Sequence, residues 1–320
     1  MSNSEFSIKN DLVKEINSLR KQKNAVILSH FYQTPDIQDI ADFVGDSLGL
    51  SQQAAKTPAD IIVFAGVYFM AETAKILSPD KKVIIPDIEA GCSLADSCKK
   101  DDFKEFIDQY PGYTIITYVN TTAEIKALSD ISCTSSNARQ IIESLPKDEK
   151  IIFGPDRNLG NYLNSLTGRN MIVWNGACHV HEQFSLESIL KLKSEHPGIK
   201  LIAHPECELP VRIAADYIGS TSDLLKFIKE DNNESYIVAT EPGILHKMKL
   251  AKPEKTFIPA PPRDSTCGCS ECNFMKLITL EKIRNSLKFE SPEVIIDPEI
   301  IKRAEIPIKR MLDISEKLGL

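Results

Sequence analysis

The sequence predicts an α/β protein of three pseudo-symmetric αβα units, each built on a short parallel sheet. Two observations carry this. Short β-branched runs recur, each followed by a helical pattern, so strand and helix alternate along the chain. The alternation also repeats at a nearly constant period. First strands begin at residues 25, 113 and 200, which lie 88 and 87 residues apart. Second strands begin at 60, 150 and 235, at offsets of 35, 37 and 35 from the first. Strands that alternate with helices form parallel sheets covered on both faces.

In chain order, an amphipathic pattern over 11–23 predicts an N-terminal helix. The first unit has strands at 25–29, 60–65 and 82–85, the second at 113–118, 150–153 and 170–173, and the third at 200–203, 235–239 and 255–258. Helices are expected at 279–287 and 299–318, the latter kinked or started late at Pro307. Domain ranges follow as 1–110, 111–197 and 198–320. No low-complexity linker separates them, so one compact body is expected.

Composition bounds the function. The chain has 320 residues, 42% hydrophobic and 26% charged, which suits a globular protein with a substantial core. No apolar run approaches the ~20 residues of a membrane span. The opening residues lack a signal peptide's basic start and apolar stretch, so a cytoplasmic location is expected. A net charge of −7 with scattered Lys and Arg argues against a nucleic-acid partner, which needs a basic stripe.

Eight cysteines stand at 92, 98, 133, 178, 207, 267, 269 and 272. A reducing compartment disfavours structural disulfides. Cys133 and Cys207 read as small buried hydrophobes. Cys92, Cys178 and Cys272 each follow the third strand of a unit. One thiol per unit fits a [4Fe-4S] cluster with one open iron at the centre of the molecule better than a four-ligand zinc site. Zinc remains an alternative through Cys178-His-Val-His181.

Ligands bind beyond the carboxyl ends of parallel strands. First strands end at His30, Tyr118 and His204, and a hydroxyl follows each after seventeen residues: Ser47, Ser135 and Thr221. Each hydroxyl reads either as a helix N-cap or as an anion contact at a helix N-terminus. Tyr32, Asn120 and Glu206 complete the polar set. Lys and Arg are nearly absent from it, so an anionic substrate would be held by neutral donors. His30-Phe-Tyr32 and His204-Pro-Glu206 each place two titratable groups on one face of an extended segment.

These segments resemble the quinolinate synthase family. The resemblance runs from about residue 24 to 290. It is carried by Ser-His-Phe-Tyr (29–32), Gly-Asp-Ser-Leu (45–48), Gly-Cys-Ser-Leu-Ala-Asp (91–96), Tyr-Val-Asn (118–120) and Cys-Thr-Ser-Ser-Asn-Ala (133–138). Gly-Ala-Cys-His-Val-His-Glu (176–182), His-Pro-Glu-Cys (204–207), Gly-Ser-Thr-Ser (219–222) and Cys-Asn-Phe-Met-Lys (272–276) continue it. The resemblance implies three αβα domains around one [4Fe-4S] cluster held by Cys92, Cys178 and Cys272. It implies condensation of iminosuccinate with dihydroxyacetone phosphate to quinolinate, phosphate and water, in de novo NAD biosynthesis. Substrate contacts are then expected at His30, Ser47, Tyr118, Asn120, Ser135, His204, Glu206 and Thr221, with Tyr32, Glu206 and His204 in acid/base roles. A transient contact with the enzyme that supplies iminosuccinate also follows. Cys267 and Cys269 depart from the simplest family pattern and suggest a redox-sensitive loop beside Cys272. Another cluster-dependent hydro-lyase, or an iron–sulfur sensor, are the rival readings.

Overall fold

The computed structural model describes residues 3–264 and 270–320. It contains three four-stranded parallel sheets. The first holds β1 (Ala25–His30), β2 (Phe43–Gly45), β3 (Ile61–Ala65) and β4 (Lys82–Ile84), in the order β2-β1-β3-β4. The second holds β5 (Thr114–Tyr118), β6 (Ile131–Cys133), β7 (Ile151–Gly154) and β8 (Ile172–Val173), in the order β6-β5-β7-β8. The third holds β9 (Lys200–Ala203), β10 (Tyr217–Ile218), β11 (Ser235–Ala239) and β12 (Thr256–Pro259), in the order β10-β9-β11-β12. The shared order establishes the three repeated α/β units that the period predicted.

One strand of each sheet escaped the sequence reading. β2, β6 and β10 are two or three residues long, too short to show an alternation of period two. Each pairs beside the first strand of its unit, with Ser29 opposite Val44, Thr117 opposite Ser132 and Ile202 opposite Tyr217. The central strands are the buried ones. All five residues of β3 are buried, as parallel strands covered on both faces must be.

The first two units share one core. Val63 and Ile84 of the first, Ile116 and Phe153 of the second, and Ile308 and Met311 of the last helix belong to a single apolar cluster. The third sheet keeps separate clusters on its two faces, one around Leu201 and Ile237, the other around Ile202 and Val238. The N-terminal helix runs over Asn3–Gln22, a longer element than the 11–23 read from sequence. The helix Leu280–Phe289 is capped by Thr279, packs on the N-terminal helix and touches β3. The last helix spans Pro298–Lys317, capped by Asp297. It packs against β6, the helix Tyr68–Leu77 and the helix Ala123–Lys126. A late start at Pro307 is therefore corrected. The helix begins nine residues earlier, because Asp297 and Pro298 supply a cap and a pre-set first φ. Pro307 lies buried inside it.

Candidate active site

All three sheets end on one cavity. The enclosed cavity measures about 60 Å³. His30, Tyr118 and His204 line it, at 4%, 4% and 2% exposure. Standing at the ends of β1 and β5 and one residue beyond β9, they occupy the position the parallel-sheet rule assigns to ligand contacts. The two histidines repeat one local bond. His30 Nδ1 accepts from Tyr32 N–H at 3.2 Å, and His204 Nδ1 accepts from Glu206 N–H at 3.3 Å. Each ring then carries its proton on Nε2. Burial holds both rings neutral, with His30 lowered to about 4 and His204 to about 3.

Ser47, Ser135 and Thr221 line the same cavity, and none of them is an N-cap. Asp46 caps the helix Ser47–Lys56 by accepting from Gly49 N–H, and Ser220 caps Thr221–Glu230 by accepting from Asp223 N–H. Ser135 lies in the turn before Ala138–Glu143, whose N-cap position is Asn137. The capping explanation of these hydroxyls is thus removed. Ser47 and Thr221 are first helical residues, beside backbone N–H groups that favour anions. Asn120 also lines the cavity, and its Oδ1 is buried without a hydrogen-bond partner.

The acid/base candidates form one network. Tyr32 OH sits 2.9 Å from Thr221 Oγ1 and 2.7 Å from Thr240 Oγ1. Thr240 Oγ1 is 3.0 Å from His181 Nε2. His181 Nδ1 lies 3.1 Å from Glu206 Oε2, off the line of a formed hydrogen bond. Tyr118 OH donates to Glu206 Oε1 at 2.6 Å. Burial pushes the Glu206 carboxyl up, but His181, His204 and the Tyr118 hydroxyl outweigh it and hold it at about 2. Tyr32 and Tyr118 are raised well above 10, by burial and then by the Glu206 charge, so both remain donors.

Cys92, Cys178 and Cys272 form another wall of the cavity. Each occupies the N-cap position of a four-residue helix: Ser93–Asp96, His179–Glu182 and Asn273–Lys276. None of the three sulfurs makes a side-chain cap hydrogen bond, but the nearby N–H groups of Ala95, His181 and Met275 favour the thiolates of Cys92, Cys178 and Cys272 respectively. Burial pushes Cys92 up to about 12, Cys272 up to about 11 and Cys178 well above 9. Three convergent thiols, buried yet aimed at by N–H donors, fit a metal centre whose positive charge would stabilise all three thiolates. Cys178 Sγ, His181 and Glu206 also place their donor atoms within 4.8 Å of one another, a group able to hold a metal ion. His179 is not in this group, and its Nδ1 bonds Ser93 Oγ at 2.6 Å. Cys133 and Cys207 are fully buried away from this wall, and Cys207 Sγ donates to Ala239 O. Cys267 and Cys269 lie outside the described residues.

Sequence reading missed His181 as part of the acid/base network, and it missed Thr240, Glu241 and Asp156. A signal existed for the last two. Asp156 and Glu241 each stand two residues beyond a second strand, β7 or β11, where the strand-end rule also applies. Asp156 Oδ2 accepts Cys178 N–H at 3.0 Å, and Glu241 Oε1 accepts Cys272 N–H at 3.3 Å. The corresponding position after β3 is the apolar Val67. Among the described residues, no helix is long and apolar enough to cross a membrane.

The family described as Quinolinate synthetase A protein matches residues 14–313. A protein of Rippkaea orientalis called quinolinate synthase is 58% identical over 308 residues, covering 96% of this chain and 94% of its own. Its counterpart in Microcystis aeruginosa is 56% identical over 309 residues, covering 97% of each chain. That of Thermosynechococcus vestitus is 56% identical over 305 residues, covering 95% of this chain and 96% of its own. Together with the three-sheet fold and its shared cavity, these matches establish that the chain is an enzyme belonging to the quinolinate synthetase A family.

Proposed function

We propose that the chain condenses iminosuccinate with dihydroxyacetone phosphate, giving quinolinate, phosphate and water, in the cytoplasm and within de novo NAD biosynthesis. The observation that carries this is the juxtaposition, in one cavity, of three thiols at the starts of short helices with a ring of neutral donors. Cys92, Cys178 and Cys272 would hold a [4Fe-4S] cluster. When bound on three thiolates, such a cluster leaves one iron open as a Lewis acid that assists loss of water.

The chain's own residues supply the rest. Ser47 and Thr221, with the N–H groups of their helices, bind the phosphate and carboxylates. Asn120 offers an amide whose carbonyl oxygen is free for a substrate donor. His30 and His204 present neutral Nε2–H groups, and Ser135 Oγ lies 3.3 Å from His204 Nε2. Tyr118 holds Glu206 in place, while Glu206 and Tyr32 move protons during isomerisation and condensation, with His204 beside them. The walls from all three units exclude water and protect the imine from hydrolysis. The ranges 1–110, 111–197 and 198–320 would act as the three domains. A transient contact with the iminosuccinate-producing enzyme would limit loss of that substrate.

The test is an anaerobic assay of the iron- and sulfide-reconstituted protein with both substrates. Quinolinate should form only when the triose phosphate is present. Turnover of an acid substrate without it would favour a simple hydro-lyase.

A further inference from the structure

Tyr32 belongs to the first unit and Cys272 to the third, yet a single ion pair joins them. Lys276 Nζ donates to the Tyr32 carbonyl at 2.6 Å and lies 2.8 Å from Glu241 Oε1. Lys276 is on the four-residue helix that Cys272 begins. Glu241 has no exposed surface and uses both oxygens. Oε1 accepts Cys272 N–H, and Oε2 accepts Gly243 N–H at 2.7 Å. Gly243 backs directly onto Tyr32, where a Cβ would fall 2.7 Å from the Tyr32 Cα and carbonyl carbon. Two amides from the first unit close the same seam. Gln38 Nε2 donates to the carbonyls of Phe31, Gln33 and Gly243, and Gln33 Nε2 donates to Met275 O.

The second unit repeats half of this device. Asp156 accepts Cys178 N–H as Glu241 accepts Cys272 N–H, but among the described residues Asp156 forms no ion pair. A buried carboxylate is tolerated when paired and fully hydrogen-bonded, and well-packed apolar residues often hold an interface as firmly. What charges add is direction. A lysine with one backbone acceptor and one carboxylate fixes three points at once. Those points here are the Tyr32 backbone, the end of β11 and the first turn after Cys272.

We propose that Glu241 and Lys276 are positioning residues for the reaction. They form a bracket that sets the Tyr32 hydroxyl and the Cys272 corner of the metal centre relative to each other across the seam between the first and third units. The inference rests on the function proposed above. Its test takes Lys276→Met, Lys276→Arg and Glu241→Gln in the full chain, reconstituted anaerobically. Four quantities are measured: kcat, KM for both substrates, melting temperature, and the rate at which a chelator removes iron.

A displacement of ~1 Å can cost ~10²-fold in rate, so kcat should fall at least ~10-fold in Lys276→Met and Glu241→Gln while KM stays within ~3-fold. Melting temperature should fall in Lys276→Met, which leaves a buried carboxylate unpaired, but both variants should be fully folded at the assay temperature, with initial iron content matching the unsubstituted protein. Lys276→Arg should recover most of the lost kcat, and iron should leave Glu241→Gln several-fold faster than the unsubstituted chain. Retention of kcat within about twofold in both variants, or losses that merely track melting temperature or iron content, would overturn the bracket. If the unsubstituted protein makes no quinolinate, the proposed reaction fails instead. The bracket is then judged on iron release alone: equal rates overturn it, and faster release from Glu241→Gln supports it.

Discussion

Glu206 is almost completely buried yet held ionised, at 2% exposure and a pKa of about 2. One oxygen accepts from Tyr118 OH at 2.6 Å, and the other faces His181 Nδ1 at 3.1 Å without a formed hydrogen bond. Glutamine would preserve the shape and the Tyr118 bond but could not accept a proton. Glu206→Gln should therefore keep its iron and lose ~10²- to 10⁴-fold in rate, the usual contribution of a general acid–base group. Steady-state assay beside iron analysis checks this, and turnover within about twofold of the parent would end the assignment. Cys272 makes the converse case. Cys272→Ser should fail to retain a full cluster even without oxygen, because a serine hydroxyl is a poor substitute for thiolate at iron. Normal iron and sulfide retention in that variant would move the third ligand elsewhere in the 267–272 segment.

Among elements, the helix Thr221–Glu230 shows how capping and binding are divided between neighbours. Ser220 Oγ accepts from Asp223 N–H at 3.1 Å, and Asp223 Oδ2 accepts from Ser220 N–H at 3.0 Å, a complete capping box. Thr221 is thereby left free to bond Tyr32. Ser220→Ala should cost about 1 kcal/mol of stability, as lost N-caps do, measured by denaturant unfolding of the cluster-loaded protein. A second element-scale prediction concerns Glu290, the C-cap of Leu280–Phe289. Its carboxylate bonds Lys23 and Lys82, each at 2.6 Å, and these hydrogen bonds lower it from 4.5 to about 2. A depressed folded-state pKa contributes stability that is fully present above the unfolded value and is lost as pH falls through the folded one. The melting-temperature gap between the parent and Glu290→Gln should therefore be constant above about pH 4.5 and shrink from there toward pH 2. A gap that widened on acidification would contradict the linkage.

At the scale of the whole molecule, the site exists only because three units meet. Each contributes one thiol, one strand-end residue and one hydroxyl, and no single sheet contains a cavity-forming set. Anaerobic preparation should yield about four iron and four sulfide per chain, the content of a [4Fe-4S] cluster. Finding one zinc and no sulfide would instead favour the Cys178–His181–Glu206 group. The last helix matters at this scale too. By packing on β6 and on the helix Tyr68–Leu77, it joins the first two units into one core, and the third unit is held against them by seams such as that around Gly243.

The sequence by itself determined the α/β class, the threefold period and nine of the twelve strands, because hydrophobic runs and turn residues act locally. It also nominated Cys92, Cys178 and Cys272, the three strand-end residues and the three hydroxyls, because parallel sheets always present their ligands at the same end. Other features belonged to the tertiary structure alone. β2, β6 and β10 are stabilised by a neighbouring strand rather than by two or three residues of their own pattern. Asp46 and Ser220, not Ser47 and Thr221, proved to be the caps, since one residue of offset decides which oxygen reaches the N–H. His181 and Thr240 become part of the acid/base network only through partners that lie 25 and 208 residues away, and no local pattern encodes such distances. Their roles are set by packing three similar units against one another, which fixes geometry that each unit's own sequence leaves open.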